Sequence, residues 1–452
     1  MPGKELSRWT MAWFAAALGF LLAALGLAVL GTGGPGGWAE GGALAMVHLF
    51  TLGWLGLAMQ GALIQFVPVL VARPAALPGL ALPALVLGVL GVLALAGGLW
   101  SLTGWATGVW LLKVAPVVLG MGFALVLTLL GRTLLSGPGL RACAPRAVAA
   151  ALGGMVLVWL SGLGMALALT GLADTAALVA GGLGLHVIAG VAGWLGLAAF
   201  GVSYRLFAMF LLAPEGDNRL RRAGFGLSVL ALAAVLAGLA GLLAGWDAGL
   251  VLAGALAAAG AAALIYLADI RRLWRQRRRP QPEVNMQMTR AALAFLAATV
   301  LLMPPAFALG GRWAEAAVFA ALAGWLSTLT LAQMVKIVSF LTWIEVFSPR
   351  IGRGPVPQVQ DLTNARRVRR ALWLWVAGAG CGTLSLLAES AAGFRLAALL
   401  MTVAAACLAA ELLAVRRLSH LPVALRPLPR PPIFVPSKDR SQKDDSPSPL
   451  RA

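Results

Sequence analysis

Long apolar stretches recur along the whole chain, and short polar or Gly/Pro-rich segments separate them. Each stretch has about 20 residues or more, which is the length an α-helix needs to cross a hydrocarbon core ~30 Å thick. The pattern predicts twelve transmembrane helices, over residues 11–31, 43–71, 79–100, 105–131, 147–171, 177–212, 223–245, 248–269, 291–310, 315–347, 370–388 and 395–415. We therefore expect an all-α polytopic membrane protein with one membrane domain over residues 1–415.

Composition supports this interpretation and excludes a soluble protein. Hydrophobic residues make up 60% of the sequence and charged residues 11%, whereas a soluble domain carries roughly 25% charged residues. A net charge of +19 would suggest a nucleic-acid partner in a soluble protein. Here the basic residues lie in loops between apolar stretches, so we expect the lipid bilayer as the partner and no nucleic acid.

Basic residues are concentrated in alternate loops, and this bias predicts the orientation. One set of loops and the two ends carry most of them, including Lys4, Arg8, Arg73, Arg132, Arg219, Arg222, Arg271, Arg275, Arg290, Arg350, Arg366 and Arg416. Because basic loops remain in the cytoplasm, we expect both termini to be cytoplasmic and the protein to lie in a bacterial plasma (inner) membrane. The Arg/Pro/Ser-rich segment 416–452 is predicted to be a disordered cytoplasmic tail.

A Gly-Trp-Leu triplet marks an internal repeat. It begins at Gly53 in the second predicted span, at Gly193 in the sixth and at Gly324 in the tenth, with four spans from each triplet to the next. Self-similarity at a fixed period indicates repeated structural units. The sequence therefore predicts three four-helix units, approximately 11–131, 147–269 and 291–415, with spans 2, 6 and 10 as neighbours around a pseudo-threefold axis.

Two histidines lie inside predicted spans, in the half of the membrane that faces away from the cytoplasm. His48 is in span 2 and His186 in span 6, and an imidazole nitrogen suits haem iron, copper or zinc. Met46 is a candidate soft copper ligand, and Tyr204 returns to the helical face of His186. Hydrogen-bonded helix packing is the alternative role for the pair. Their offsets from the triplet differ by two residues, about 200° of helix rotation, which argues against a shared ligand.

Other intramembrane polar residues are candidates for a functional site because such groups are costly in lipid. They are Gln65, Lys113, Arg205, Gln333 and Lys336. Gln65, Arg205 and Lys336 each lie twelve residues after a triplet glycine, so they share one depth and could bind an anion or water. Snorkelling toward the headgroups is the alternative. Lys113 and Lys336 are expected to lie deeper, and an interaction between Lys336 and Glu345 would offset the burial of Lys336.

The stretches HLFTLGWLGLAMQGALIQFVPVL and HVIAGVAGWLGLAAFGVSYRLFAMF resemble the superfamily of haem–copper oxidase subunit I and the nitric oxide reductase large subunit. The resemblance implies a twelve-span fold in three four-helix arcs. It matches His48 to the histidine that binds low-spin haem and His186 to the histidine that binds copper. The superfamily's histidine pair in span 7 and its histidines in span 10 are absent here. We therefore expect no oxygen or nitric oxide reduction and no enzymatic activity.

Three functions remain open from the sequence. The first is an oxidase-like protein that holds one haem b or one copper ion between His48 and His186, for electron transfer, sensing or metal handling. The second is a multi-pass transporter that uses the polar residues of spans 2, 6 and 10 as a pathway. The third is a non-catalytic assembly or scaffold subunit that contacts other subunits of a respiratory complex and binds no cofactor.

Overall fold

The structure, a computed structural model, describes residues 9–104, 106–427 and 430–434, and all the regular structure in these ranges is helical. Twelve helices are long and apolar enough to cross a membrane, as the apolar pattern predicted. Spans 1 to 12 are, in order, Thr10–Val29, Gly41–Val71, Pro78–Ser101, Leu111–Leu135, Cys143–Leu169, Leu183–Leu211, Arg219–Leu243, Gly249–Arg275, Val284–Leu309, Gly311–Arg350, Ala365–Leu387 and Ala391–Arg416. A short helix, Ala176–Gly181, precedes span 6. The chain is therefore a multi-pass membrane protein.

Spans of one unit pack as hairpins, and the hairpins close into a ring. Spans 3 and 4, 7 and 8, and 11 and 12 form three antiparallel pairs, and span 12 packs back against span 1. Glycines allow the close approach within these pairs. A Cβ atom at Gly98 of span 3 would lie 2.8 Å from the backbone nitrogen of Leu112 in span 4. Large apolar side chains such as Leu250 and Leu301 remain exposed on the outside, where they face lipid.

Spans 2, 6 and 10 are interrupted at the same place by π-helices. These segments, Leu49–Gly56, Ala189–Gly196 and Ala320–Ser327, each have eight residues and carry the Gly-Trp-Leu triplet at positions five to seven. A π-helix is rare and occurs mostly as a single turn, frequently at functional sites. Three long π-helices in equal register agree with the predicted internal repeat.

The triplet tryptophans join the three π-helices at the centre of the bundle. The Trp54 indole nitrogen donates to the Ser327 hydroxyl at 2.9 Å. Trp325 lies against Gly196, where an added Cβ atom would be 3.1 Å from its Cη2 atom. Ser327 and Gly196 are both the last residue of a π-helix, so the two contacts are equivalent. The prediction that spans 2, 6 and 10 are neighbours is confirmed.

The first part of the predicted tail packs on the membrane domain. The buried Arg416 guanidinium forms an ion pair of 2.8 Å with Glu345 and donates to the carbonyl oxygens of Pro432 and Ile433. A buried charge is stabilised only when it is paired and hydrogen-bonded. The backbone of Pro432 and Ile433 therefore serves as a polar cover for Arg416. Residues 435–452 of the predicted tail lie outside the described residues.

Candidate metal centre

His48 and His186 face each other across the interface of spans 2 and 6. Their ring centroids are 6.4 Å apart and the ring planes are inclined by 40°. The rotational offset of about 200°, which argued against a shared ligand, does not keep the two rings apart. Two neighbouring helices of a ring contact each other through opposite sides of their surfaces. Two residues that meet at this interface therefore differ by a large rotation about their own helix axes, relative to the repeat. Both side chains are partly buried.

Nδ1 of each imidazole has a hydrogen-bond partner. Nδ1 of His48 lies 2.7 Å from the Leu44 carbonyl oxygen, which can only accept, so Nδ1 carries the proton. Nδ1 of His186 lies 2.8 Å from the Ser161 hydroxyl. That hydroxyl also lies 2.9 Å from the Leu157 carbonyl oxygen, so it can accept from an Nδ1–H of His186 while it donates to Leu157. An imidazole held in this way at Nδ1 has a lone pair on Nε2, the arrangement found in metal-ligating histidines.

The glycines near His186 serve helix packing. A Cβ atom at Gly162 of span 5 would lie 3.4 Å from Cε1 of His186. Gly190 lies against Val158, and a Cβ atom at Gly154 would be only 2.7 Å from the Gly193 carbonyl oxygen. Spans 5 and 6 thus touch backbone to backbone, which is the commoner use of glycine between transmembrane helices.

The two other predicted ligands contact different parts of the protein. The Met46 side chain is buried and its methyl group packs against Gly33 in the loop between spans 1 and 2. Tyr204 lies near the opposite end of span 6, where the Arg221 guanidinium covers its ring at 3.9 Å. Neither contact involves the histidines, so of the candidate ligands only His48 and His186 lie together.

The polar residues at equal depth have separate partners. Arg205 forms an exposed ion pair with Glu215. Lys336 forms an ion pair of 2.6 Å with Glu283 at the start of span 9. The predicted interaction of Lys336 with Glu345 is wrong, because nine residues of helix separate them by about 13 Å along the axis. Gln65 lies in the last turns of span 2.

Lys113 and Gln333 complete the predicted set. Lys113 is exposed in the first turn of span 4, so the prediction that it lies deep in the membrane was wrong. Gln333 is buried, accepts from Asn285 at 3.1 Å and donates to Thr289 at 3.1 Å. These bonds tie span 10 to span 9 and satisfy the side-chain amide.

Glu283 lies just outside span 9 and holds two basic residues. Its carboxylate accepts from Arg279 at 2.5 Å and from Lys336 at 2.6 Å. Burial alone would raise the pKa of Glu283, but the hydrogen bonds and positive charges of Lys336 and Arg279 outweigh burial and lower the pKa. The carboxylate is therefore ionised at neutral pH and stabilises Lys336.

A buried ion pair in the second unit was not predicted from the sequence. Arg221 of span 7 contacts Asp269 of span 8 at 3.1 Å, and Asn218 donates to the same carboxylate at 2.7 Å. Asp269 is the one acidic residue within the apolar run of span 8, which was a usable signal because intramembrane acids have partners. We interpret this cluster as structural, because its charged groups are already paired.

A small apolar cavity lies between spans 2, 6 and 10. It has a volume of ≈ 60 Å³, and its lining includes Met59, Phe66, Phe207 and Met334. Its position between the three equivalent spans again indicates a common axis.

No protein-family model and no curated protein matches this chain. The histidine pair is therefore the feature of the described structure that bears most directly on function.

Proposed function

We propose that the protein binds one haem b iron between His48 and His186 and acts in electron transfer within the membrane. The separation of the two imidazoles carries this proposal. Two imidazoles bound on opposite sides of one metal ion, each at about 2 Å, have ring centroids roughly 6 Å apart. The separation of 6.4 Å fits this arrangement.

The number of donors favours haem over a bare ion. Among the described residues, no group of three or more His, Cys, Asp or Glu could hold a metal ion. A bare zinc or copper ion generally needs three or four ligands. Haem supplies four nitrogens of its own and needs only axial ligands. His48 and His186 would hold the haem, which when bound would supply one-electron chemistry, and this supports electron transfer over oxygen chemistry.

The residues around the pair would set its orientation. The Leu44 carbonyl and the Ser161 hydroxyl each hold one Nδ1–H group, so the rings keep their tautomer. Such bonds also raise the basicity of the ligating nitrogen. The transporter alternative has less support, because Arg205, Lys336 and Gln333 each have separate partners.

Absorption spectroscopy with metal analysis tests the proposal. The detergent-purified protein from haem-replete cells should contain one iron per chain and give the reduced-minus-oxidised spectrum of a low-spin, bis-histidine haem b. His48→Ala and His186→Ala should each abolish that spectrum. His420→Ala is the matched control, because His420 contacts Glu411 at 2.8 Å and lies beyond span 12. Copper without haem would replace the haem assignment, and a metal-free protein would favour the scaffold function.

A further inference from the structure

Two guanidinium groups flank an indole where spans 8 and 9 meet on the arginine-rich side. Trp274 is in the last turn of span 8 and is half-buried. The Arg277 and Arg290 guanidinium carbons lie 5.9 Å and 5.6 Å from its ring centroid. Tryptophan prefers the headgroup region of a bilayer. The three side chains, which we call the Trp274 corner, thus lie at the depth of lipid headgroups.

The arginines around this corner have no carboxylate partner in the described part of the chain. They are exposed and comprise Arg271, Arg272, Arg275, Arg277, Arg278 and Arg290. Nearby carboxylates are occupied: Asp269 pairs with Arg221, and Glu283 pairs with Arg279 and Lys336. The corner therefore carries positive charge that no carboxylate of the described residues compensates, and a bound anion would supply a partner.

The segment that carries these arginines is held in place. The backbone nitrogens of Arg278 and Arg279 both donate to the Leu211 carbonyl oxygen at 3.2 Å, at the end of span 6. Arg279 also pairs with Glu283 at 2.5 Å. These contacts tie the connection between spans 8 and 9 to the second unit. The charges are thus preorganised, which lowers the entropy cost of binding.

We propose that the Trp274 corner binds the phosphate headgroup of an anionic phospholipid of the adjacent leaflet. A guanidinium recognises phosphate through paired N–H donors, and basic pockets beside transmembrane helices attract anionic lipids. A lipid is favoured over free phosphate because the lipid-facing sides of spans 8 and 9 expose apolar residues such as Leu264 and Leu301 to acyl chains. This inference is independent of the haem proposal.

Native mass spectrometry of the full-length protein in detergent tests the site. Phosphatidylglycerol and cardiolipin are titrated, with phosphatidylcholine of the same chain length as the neutral comparison. Arg277→Gln with Arg290→Gln should weaken binding of the anionic lipid about 25-fold, at about fivefold per charge. Arg277→Lys with Arg290→Lys keeps the charges but removes the paired donors, so it should weaken binding less than the Gln pair does. The control pair is Arg366→Gln with Arg369→Gln, which removes two exposed charges at the start of span 11.

Three outcomes would overturn the inference. Equal losses in the control pair would mean that the lipid responds to total charge and not to this corner. Equal binding of phosphatidylcholine would remove the role of the headgroup charge. Complete displacement by glycerol phosphate at lipid-equivalent concentration would identify a free-anion site instead of a lipid site.

Discussion

The Trp54 indole nitrogen in span 2 donates a hydrogen bond of 2.9 Å to the Ser327 hydroxyl in span 10. Both groups are buried, and the Ser327 hydroxyl also donates to Leu322 within its own π-helix at 2.7 Å. At the equivalent position of span 6 the chain has Gly196, which packs against Cη2 of Trp325, and the Trp325 indole nitrogen has no hydrogen-bond partner in the described residues. The first and third units are therefore joined by a bond that the second and third units lack.

Ser327→Ala should destabilise the protein by about 1–3 kcal/mol, because the Trp54 N–H would remain buried without an acceptor. The measurement is the thermal unfolding temperature in one detergent. Thr128→Ala is the control, since this exposed hydroxyl bonds only to Ala124 of its own helix, and its effect should be within about 0.5 kcal/mol. An equal effect of the two variants would mean that the Trp54 contact contributes no special stability.

If His48 and His186 hold haem as proposed, Ser161→Ala should weaken its binding without removing a ligand. It deletes the acceptor of the His186 Nδ1–H group, and loss of such an outer partner typically costs 10–100-fold in metal affinity. Haem retention on dilution and the reduction potential are the measurements. Ser228→Ala is the control, because its hydroxyl bonds to Gly224 within span 7. Unchanged retention and potential would show that Ser161 does not position His186.

Glu283 should give the protein an acid-sensitive contact. Its pKa is lowered in the folded state from the ordinary value of 4.5, so its stabilisation is present above that value and is lost as pH falls through the folded pKa. The thermal unfolding temperature is measured from pH 7 downward. Below about pH 4.5 it should fall more steeply in the wild type than in Glu283→Gln. Glu40→Gln, at an exposed position, is the control, and matching slopes for all three proteins would contradict the prediction.

The orientation can be tested with reporters that are active on one side of the membrane. A cytoplasmic reporter fused after Ala452 should be active, because the basic loops are expected to remain in the cytoplasm. The same reporter inserted near Asp174 or Asp247, in loops between spans 5 and 6 and between spans 7 and 8, should be inactive. The reverse pattern would place the histidine pair in the half of the membrane nearer the cytoplasm.

The number and order of spans could be predicted because hydrocarbon thickness demands long apolar runs. Details that depend on the contact between spans could not. The pairing of Lys336 with Glu283 joins two spans through a loop conformation that no local pattern specifies. The equal depth of Gln65, Arg205 and Lys336 suggested a shared site, but depth along an axis does not determine which neighbour a side chain faces.

The histidine pair could likewise be predicted only in part from the sequence. Both residues were identified from the sequence, because titratable groups are rare in apolar spans. Their mutual approach was proposed, but the rotation count argued against it because it treated each span as a single regular α-helix and assumed that equivalent faces had to meet. The π-helices could not be predicted from the sequence, because small and aromatic residues such as Gly53 and Trp54 are compatible with an α-helix as well as with a π-helix.

Spans 2, 6 and 10 are each divided by one π-helix into two parts, and the two parts can differ in helical register. The hydrogen bonds of a π-helix join residues five apart, whereas those of an α-helix join residues four apart. A π-helix therefore takes up an extra residue locally, and the helical segments on either side keep their own packing. His48 and His186 lie before their π-helices, whereas the residues that line the apolar cavity between spans 2, 6 and 10 come mainly after them. Substitutions at the end of the bundle that carries the histidines therefore need not disturb the packing at the other end.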